Sequence, residues 1–211
     1  MFTNNNKSIQ LLLYIDNIVV GTKHQSEVDW FAKSLSKRFN TKNLEEIKKI
    51  LGTRVTQDRR NWVIEIDQEE YLKSILDRFG ITNKNYKGKS ILAADYKQLC
   101  LAAIIDKYIN ITEYQQGIGS LIYTIIFTRP DITFVLDKLS QYISKLAEYH
   151  RYILKYLIKY LKSTVKQKLY YRPGREYKNI VVYSDTDWAS NKSDRKSILE
   201  SMTIFYSRPI L

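Results

Sequence analysis

Aliphatic residues flank a short polar centre in the segment LLLYIDNIVV, residues 11–20. Leucine, isoleucine and valine favour β-strands, whereas aspartate and asparagine tolerate the backbone conformations of a turn. The pattern therefore predicts two short strands between Ile9 and Gly21 that meet at Asp16–Asn17. A carboxylate and an amide at the tip of an apolar hairpin raise the question of whether this tip takes part in chemistry.

Helical spacing of apolar residues begins after this hairpin. Ser26, with Asp29 three residues later, predicts a capped helix. The apolar face of this helix consists of Val28, Phe31, Leu35 and Phe39. Asn43 predicts the cap of a second helix, NLEEIKKIL, which we expect to end at Gly52.

A second hairpin and a third helix follow. TRVTQ and WVIEI predict strands joined by a polar DRRN turn. The face expected to be apolar carries Trp62, Ile64 and Ile66. Asp67 and Glu70 predict a second capping box, and apolar residues then recur at helical spacing until Gly80. Residues 1–80 therefore predict an α+β unit.

The middle of the chain is predicted to be helical after a break. The polar stretch TNKNYKGKS predicts a linker within residues 81–111. In EYQQGIGSLIYTIIF, Gly117 and Gly119 indicate close helix packing, because a phosphate loop would need a preceding strand and a third glycine. In TRPD, Pro130 suits the first turn of the next helix and Asp131 suits the positive end of its dipole.

The segment from Tyr149 to Lys166 predicts a helix with three faces. At about 100° per residue, five cationic residues share an arc of roughly 80°: Arg151, Lys155, Lys159, Lys162 and Lys166. Leucines, isoleucines and Val165 form an apolar face, and four tyrosines form a third. Two interpretations stay open: a solvated lysine face beside the core, or a nucleic-acid track with lysines on phosphates and tyrosines on sugars or bases.

Composition narrows the class of protein. The net charge of +12 indicates an affinity for polyanions such as nucleic acid, although a lysine-rich, AT-biased genome gives the same composition. Cys100 is the single cysteine, which excludes internal disulfides and suits a reducing compartment. His24 and His150 are far apart and give no zinc pattern. Without a signal peptide or a membrane-spanning run, we expect an intracellular protein, cytoplasmic or nuclear, with no membrane association.

In their order along the chain, these segments resemble the pol region of Ty1/copia-type retrotransposons. LLLYIDNIVV resembles the polymerase hairpin whose usual centre is Tyr-Val-Asp-Asp, and QEEYLKSILDRFGI resembles a later palm and thumb-leading segment. GIGSLIYTIIFTRPDITFVLDKLSQYIS and HRYILKYLIKYLKST resemble the family's Gly-Ser-Leu-x-Tyr and Thr-Arg-Pro-Asp-Ile block and the helix after it. VVYSDTDWASNKSDRKS, in a predicted pair of strands with SMTIFYS, resembles the start of a ribonuclease H domain. The resemblance implies an α+β fold with a partial reverse transcriptase palm at 1–80, a linker at 81–111, a helical thumb or connection at 112–168, and a ribonuclease H-like stub at 169–211.

The resemblance also implies a chemistry. Such polymerases transfer nucleotides with two divalent ions, Mg²⁺ by resemblance, held by carboxylates. Asp16 occupies the position of one catalytic aspartate, whereas Asn17 puts a neutral amide where the family has a second aspartate, which should weaken metal binding. Asp185 matches the first metal-binding aspartate of ribonuclease H, and Asp187 is nearby. Glu200 is expected on the following strand rather than at the helical glutamate of that site.

The other metal ligands and the fingers of the family have no counterpart between Met1 and Leu211. We therefore expect incomplete metal sites at Asp16 and Asp185, no productive Mg²⁺ binding, and neither RNA-directed DNA polymerase nor ribonuclease H activity from the chain alone. Two alternatives stay open. One is a nucleic-acid-binding remnant that grips RNA–DNA or single strands through Arg151–Lys166, and the other is a part of a longer, active polyprotein.

Overall fold

The computed structural model describes residues 9–81, 91, 110–144, 146–172, 180–187, 197–205 and 208–210. These residues form a mixed fold of helices and strands, as the sequence predicts. The chain divides into two compact units, Met1–Lys48 and Lys49–Leu211. The linker predicted at 81–111 lies almost entirely outside the described residues. Within the described part of the chain, no helix is both long and apolar enough to cross a bilayer.

The first unit contains the predicted hairpin, with its turn one residue earlier than expected. Strands β1 (Gln10–Tyr14) and β2 (Asn17–Gly21) are antiparallel, and Tyr14 pairs with Asn17. The two turn residues are therefore Ile15 and Asp16 instead of Asp16 and Asn17. Ile15 adopts a φ of +52°, a conformation that is strained for a β-branched residue.

Helix α1 (Gln25–Ser36) also begins earlier than the capping pattern predicts. The Thr22 hydroxyl accepts the backbone N–H of His24 at 2.9 Å and closes a turn directly before the helix. This turn makes His24 the N-cap, so the expected cap at Ser26 is wrong. Phe39, which was expected on the apolar face, lies beyond the end of the helix and is 62% exposed.

A four-stranded antiparallel sheet opens the second unit, in the order β3 (Lys49–Ile50), β4 (Thr53–Asp58), β5 (Val63–Asp67) and β6 (Leu169–Tyr171). The helix predicted for NLEEIKKIL is wrong, because its end forms β3. Leu51 and Gly52, with φ of +49° and +66°, make the two-residue turn into β4 that requires positive φ at both positions. The Asn43 side chain, expected to cap a helix, instead accepts the N–H of Glu45 in a local turn.

In the described part of the second unit, four helices carry the core: α2 (Glu69–Arg78), α3 (Ile111–Phe127), α4 (Thr133–Ser140) and α5 (Glu148–Ser163). TRPD was predicted to open a helix at Pro130; Pro130–Ile132 form a 3₁₀ turn instead, and α4 follows directly at Thr133. The apolar residues of these helices pack together in one buried cluster, which includes Leu72, Ile75, Leu121, Leu136, Leu139, Leu157 and Ile158. The predicted packing role is confirmed at Gly117, where a Cβ would lie 2.8 Å from Leu154 Cδ2, and is wrong at Gly119, which has nothing within 4 Å.

The start of α2 differs from the predicted capping box because tertiary ion pairs use the acidic side chains. Asp67, only 2% exposed, accepts the Glu69 N–H at 3.2 Å and binds Arg54 Nε at 3.0 Å. Glu70 pairs with Lys49 across 2.6 Å. Gly80 ends the helix with a φ of +64°, as predicted.

A three-stranded antiparallel sheet contains β7 (Ile180–Asp187), β8 (Ile198–Phe205) and β9 (Arg208–Ile210), in that order. The predicted strand pair is confirmed. Pro209 lies on the outer strand, where a residue without an N–H is tolerated.

Candidate functional sites

The tip of the β1–β2 hairpin holds the first candidate catalytic residue. Asp16 lies in the turn and is exposed, and the Asn17 side chain follows it at the first position of β2. Asn17 Nδ2 donates a hydrogen bond to Asp16 Oδ1 at 3.1 Å. The amide therefore presents an N–H to the carboxylate and occupies one of the lone pairs with which that carboxylate would bind a cation.

This donor set does not fit a magnesium pair. A two-metal site needs several anionic oxygens directed at the same point, whereas the hairpin tip offers one carboxylate and an amide that already bonds to it. Among the described residues, no three His, Cys, Asp or Glu side chains cluster as metal ligands.

The second candidate, Asp185, lies on β7 and is exposed. Its Oδ1 accepts the N–H of Thr186 at 2.9 Å. Glu200 lies on β8 as its cross-strand partner, so the expectation that Glu200 belongs to a strand is confirmed. Asp187 lies two residues further along β7.

We call the five predicted cationic residues the basic face: Arg151, Lys155, Lys159, Lys162 and Lys166. Lys166 is exposed, and the other four are partly exposed. The opposite side of α5 is buried in the core through residues such as Ile153, Leu157 and Leu161. Arg151 binds Glu148 at 3.0 Å and lies 4.0 Å from Glu113, so acidic neighbours partly neutralise its charge. Lys166 lies past the end of α5, which stops at Ser163 and not at the predicted position 166.

The tyrosine face divides into structural and accessible side chains. The Tyr160 hydroxyl donates to Asp131 Oδ2 at 2.9 Å. Arg129 Cζ lies over the Tyr160 ring, 5.4 Å from its centroid. Burial raises the pKa of Tyr160 most, and the hydrogen bond to Asp131 raises it further. Tyr152 is 55% exposed and stacks on Tyr149 with ring centroids 6.3 Å apart. The expectation that the tyrosines contact bases therefore applies to Tyr152 better than to Tyr160.

The sequence interpretation missed the role of Arg129, which is 1% exposed. Its guanidinium binds both carboxylate oxygens of Asp131, at 2.9 and 2.7 Å, and donates to Thr164 Oγ1 at 2.8 Å. Burial alone raises the pKa of Asp131, but the hydrogen bond and charge of Arg129 outweigh it, so the pKa lies below its ordinary value. The Thr-Arg-Pro-Asp motif was the available signal, since it places the two charges two residues apart. This network fixes the loop before α4 to the end of α5.

Known proteins contain counterparts of the hairpin around Asp16 and of the segments that follow it. Residues 1–93 match the family described as reverse transcriptase (RNA-dependent DNA polymerase). The retrovirus-related Pol polyprotein from transposon TNT 1-94 of Nicotiana tabacum is 30% identical over 202 residues, 93% of this chain and 15% of that protein. The Pol polyprotein from transposon RE1 of Arabidopsis thaliana is 30% identical over 186 residues, 88% of this chain and 12% of that protein.

Over most of its length the chain is similar to copia-type retrotransposon Pol polyproteins, which confirms the resemblance. The chain spans less than a sixth of the length of these two relatives. An uncharacterized mitochondrial protein of Arabidopsis thaliana is 25% identical over 189 residues and is covered to 75% of its length. No solved structure matches the chain.

Proposed function

We propose that this chain is the palm-and-thumb part of a copia-type reverse transcriptase lineage and that it binds nucleic acid through the basic face of α5. The observation that supports the proposal best is the division of α5 into a buried apolar side and a side of lysines. Packing anchors the helix, and the lysines then present charge at a fixed spacing. Phosphate contacts of this kind give affinity without sequence preference.

We further propose that the chain alone does not transfer nucleotides. At the hairpin tip the Asn17 amide donates to Asp16, in place of a second carboxylate that would share a metal. Primer extension by the purified chain with Mg²⁺ or Mn²⁺, abolished by Asp16→Ala, would refute this part of the proposal.

The binding proposal is tested by reversing Lys155, Lys159 and Lys162 to Glu. Each reversal changes the charge by −2, so the net charge falls from +12 to +6. The matched control reverses the exposed lysines at 23, 33 and 37, which gives the same net charge. Fluorescence anisotropy measures binding to an RNA–DNA hybrid across a salt series, and circular dichroism checks that each variant is folded.

We expect the first variant to lose affinity and its slope of log K against log salt to shrink by about 2 to 3, close to 0.9 per phosphate contact. The control should keep its slope. Equal losses in both variants would show that net charge alone, and not the basic face, drives binding. If reversal unfolds the protein, Lys→Gln at the same three positions answers the question.

A second candidate is that the segment serves within a longer polyprotein with polymerase and ribonuclease H activity. The relatives that favour it are Pol polyproteins of which this chain matches 15% and 12%. Sequencing the transcript upstream of Met1 tests it. An in-frame palm aspartate would support this candidate, and a stop codon directly upstream would exclude it.

A further inference from the structure

The turn between β4 and β5 exposes an aromatic and two cationic side chains together. Asp58 pairs with Val63, which leaves Arg59, Arg60, Asn61 and Trp62 as the four turn residues. All four are exposed, and Trp62 is 76% exposed. Trp62 was predicted to lie on the apolar face of the hairpin, and this prediction is wrong because the residue precedes the first position of β5.

Hydrogen bonds hold this turn in one conformation. Asp58 Oδ1 accepts the backbone N–H groups of Arg60 at 3.0 Å and Asn61 at 3.1 Å, and its Oδ2 accepts Asn61 Nδ2 at 2.7 Å. These hydrogen bonds lower the pKa of Asp58, and the bond from the Asn61 side chain has the largest effect. The carboxylate thus stays charged at neutral pH and the turn presents its side chains in a preorganised arrangement.

Trp62 is unfavourable for folding at this position. Its φ is +54°, in the left-handed region that glycine and asparagine adopt readily and that is an outlier for a bulky residue. Its indole also remains largely in water, so it contributes little to burial. Folding alone favours Asn or Gly here, and a strained residue with an exposed ring indicates a binding role.

We propose that the turn Arg59–Trp62 binds single-stranded nucleic acid, with a base stacked on Trp62 and the adjacent phosphates on Arg59 and Arg60. A protruding indole stacks on any unpaired base, whereas bases within a duplex already stack on each other. Arginine suits phosphate because its planar guanidinium donates in a fork. The inference rests on the proposed nucleic-acid binding of the chain, but on residues other than the basic face.

The test uses Trp62→Asn, which fits the positive φ, and Trp62→Phe, which keeps an aromatic ring. The probes are a twelve-residue oligothymidylate and an abasic strand with the same number of phosphates. Because the chain has three tryptophans, a Trp30→Phe/Trp188→Phe background leaves Trp62 as the fluorescent reporter.

We expect the oligothymidylate to quench Trp62, and Trp62→Asn to weaken its binding at least about fivefold, the low end of one stacked base. Binding of the abasic strand should not change, Trp62→Phe should be intermediate, and the thermal midpoint of Trp62→Asn should stay level or rise. Equal affinity losses on both strands, or no loss, would overturn the proposal while leaving the basic face intact.

Further outcomes separate this proposal from its alternatives. If the wild-type chain binds neither strand nor the RNA–DNA hybrid, this proposal and the proposed function fail together. A blue shift of Trp62 on anionic vesicles, without quenching by the oligothymidylate, would assign the turn to a membrane surface and overturn the nucleic-acid site.

Discussion

The ion pair between Arg129 and Asp131 should be energetically asymmetric, because its two partners differ in burial. The Arg129 side chain is 1% exposed, whereas that of Asp131 is 29% exposed. Replacing Asp131 with Asn removes the charge but leaves a guanidinium confined in the interior. Replacing Arg129 with Met removes the buried charge and leaves a carboxylate that water can reach and that keeps the Tyr160 hydroxyl as a donor.

Removing one partner of a buried ion pair costs about 3–5 kcal/mol when the charge that remains is buried and unpaired. Losing hydrogen bonds to a partly solvated acceptor costs about 1–3 kcal/mol. We therefore expect Asp131→Asn to lower the free energy of unfolding by about 2 kcal/mol more than Arg129→Met does. The double variant should be more stable than Asp131→Asn alone, since the stranded charge is then absent.

Urea unfolding followed by circular dichroism at 222 nm measures all four proteins at pH 7. The comparison requires equal denaturant slopes, which show that the variants expose the same surface on unfolding. Charge compensation would be refuted as the role of the network by either of two results. One is an equal loss in free energy of unfolding for Arg129→Met and Asp131→Asn, and the other is a loss in the double variant equal to the sum of the two. The bonds from Arg129 to Thr164 at the end of α5 would then be the dominant contribution.

Two further predictions concern acid stability and helix packing. Because Arg129 holds the pKa of Asp131 below its unfolded value of about 3.9, the pair stabilises the fold above that pH and loses its contribution as pH falls through the folded pKa. The urea midpoint of the wild type should therefore fall more steeply below about pH 4 than that of Arg129→Met. Gly117→Ala should destabilise by about 1–3 kcal/mol through overpacking against Leu154, whereas Gly119→Ala should stabilise by up to about 1 kcal/mol, as thermal midpoints will show. Equal shifts for the two glycines would contradict the packing argument.

Sequence periodicity predicted the helices whose apolar stripes are buried in one core. Helix α4 is an example, because Val135, Leu136 and Leu139 on its apolar side are all buried. Burial removes enough apolar surface from water to outweigh local preferences, so its pattern is readable in the chain.

Local capping patterns failed where a tertiary ion pair or a local turn used the same side chains. Asp67 and Glu70 have the spacing of a capping box, but Glu70 binds Lys49, and Asp67 divides its oxygens between the Glu69 N–H and Arg54. Asn43 likewise signals a cap and in fact closes a local turn, as β3 pairs with β4 nearby. A single capping bond is worth about 1 kcal/mol, which a charged partner from another element can replace.

Sequence patterns could point to some candidate residues but not to others, because only some of them carry a local signature. Motif order made Asp16 and Asp185 candidates, and helical spacing grouped the lysines of the basic face; the roles of these residues stay predictions. The contact of Arg129 with Thr164, 35 residues away, has no local signature. Nor does the left-handed backbone of Trp62, because a polar turn between strands predicts where the chain reverses but not which residue takes positive φ.

Nucleic-acid binding and metal-dependent catalysis require different arrangements of charge, as a comparison of the basic face with the hairpin tip at Asp16 and Asn17 illustrates. Electrostatic affinity is a sum over phosphates. On the proposed binding, we therefore expect the basic face to keep most of its attraction even though two glutamates partly neutralise Arg151. Metal-dependent transfer instead needs several anionic oxygens at one point, so a single amide at Asn17 that bonds to Asp16 changes the site in kind. We therefore expect the proposed binding of nucleic acid to withstand single substitutions better than metal-dependent transfer does.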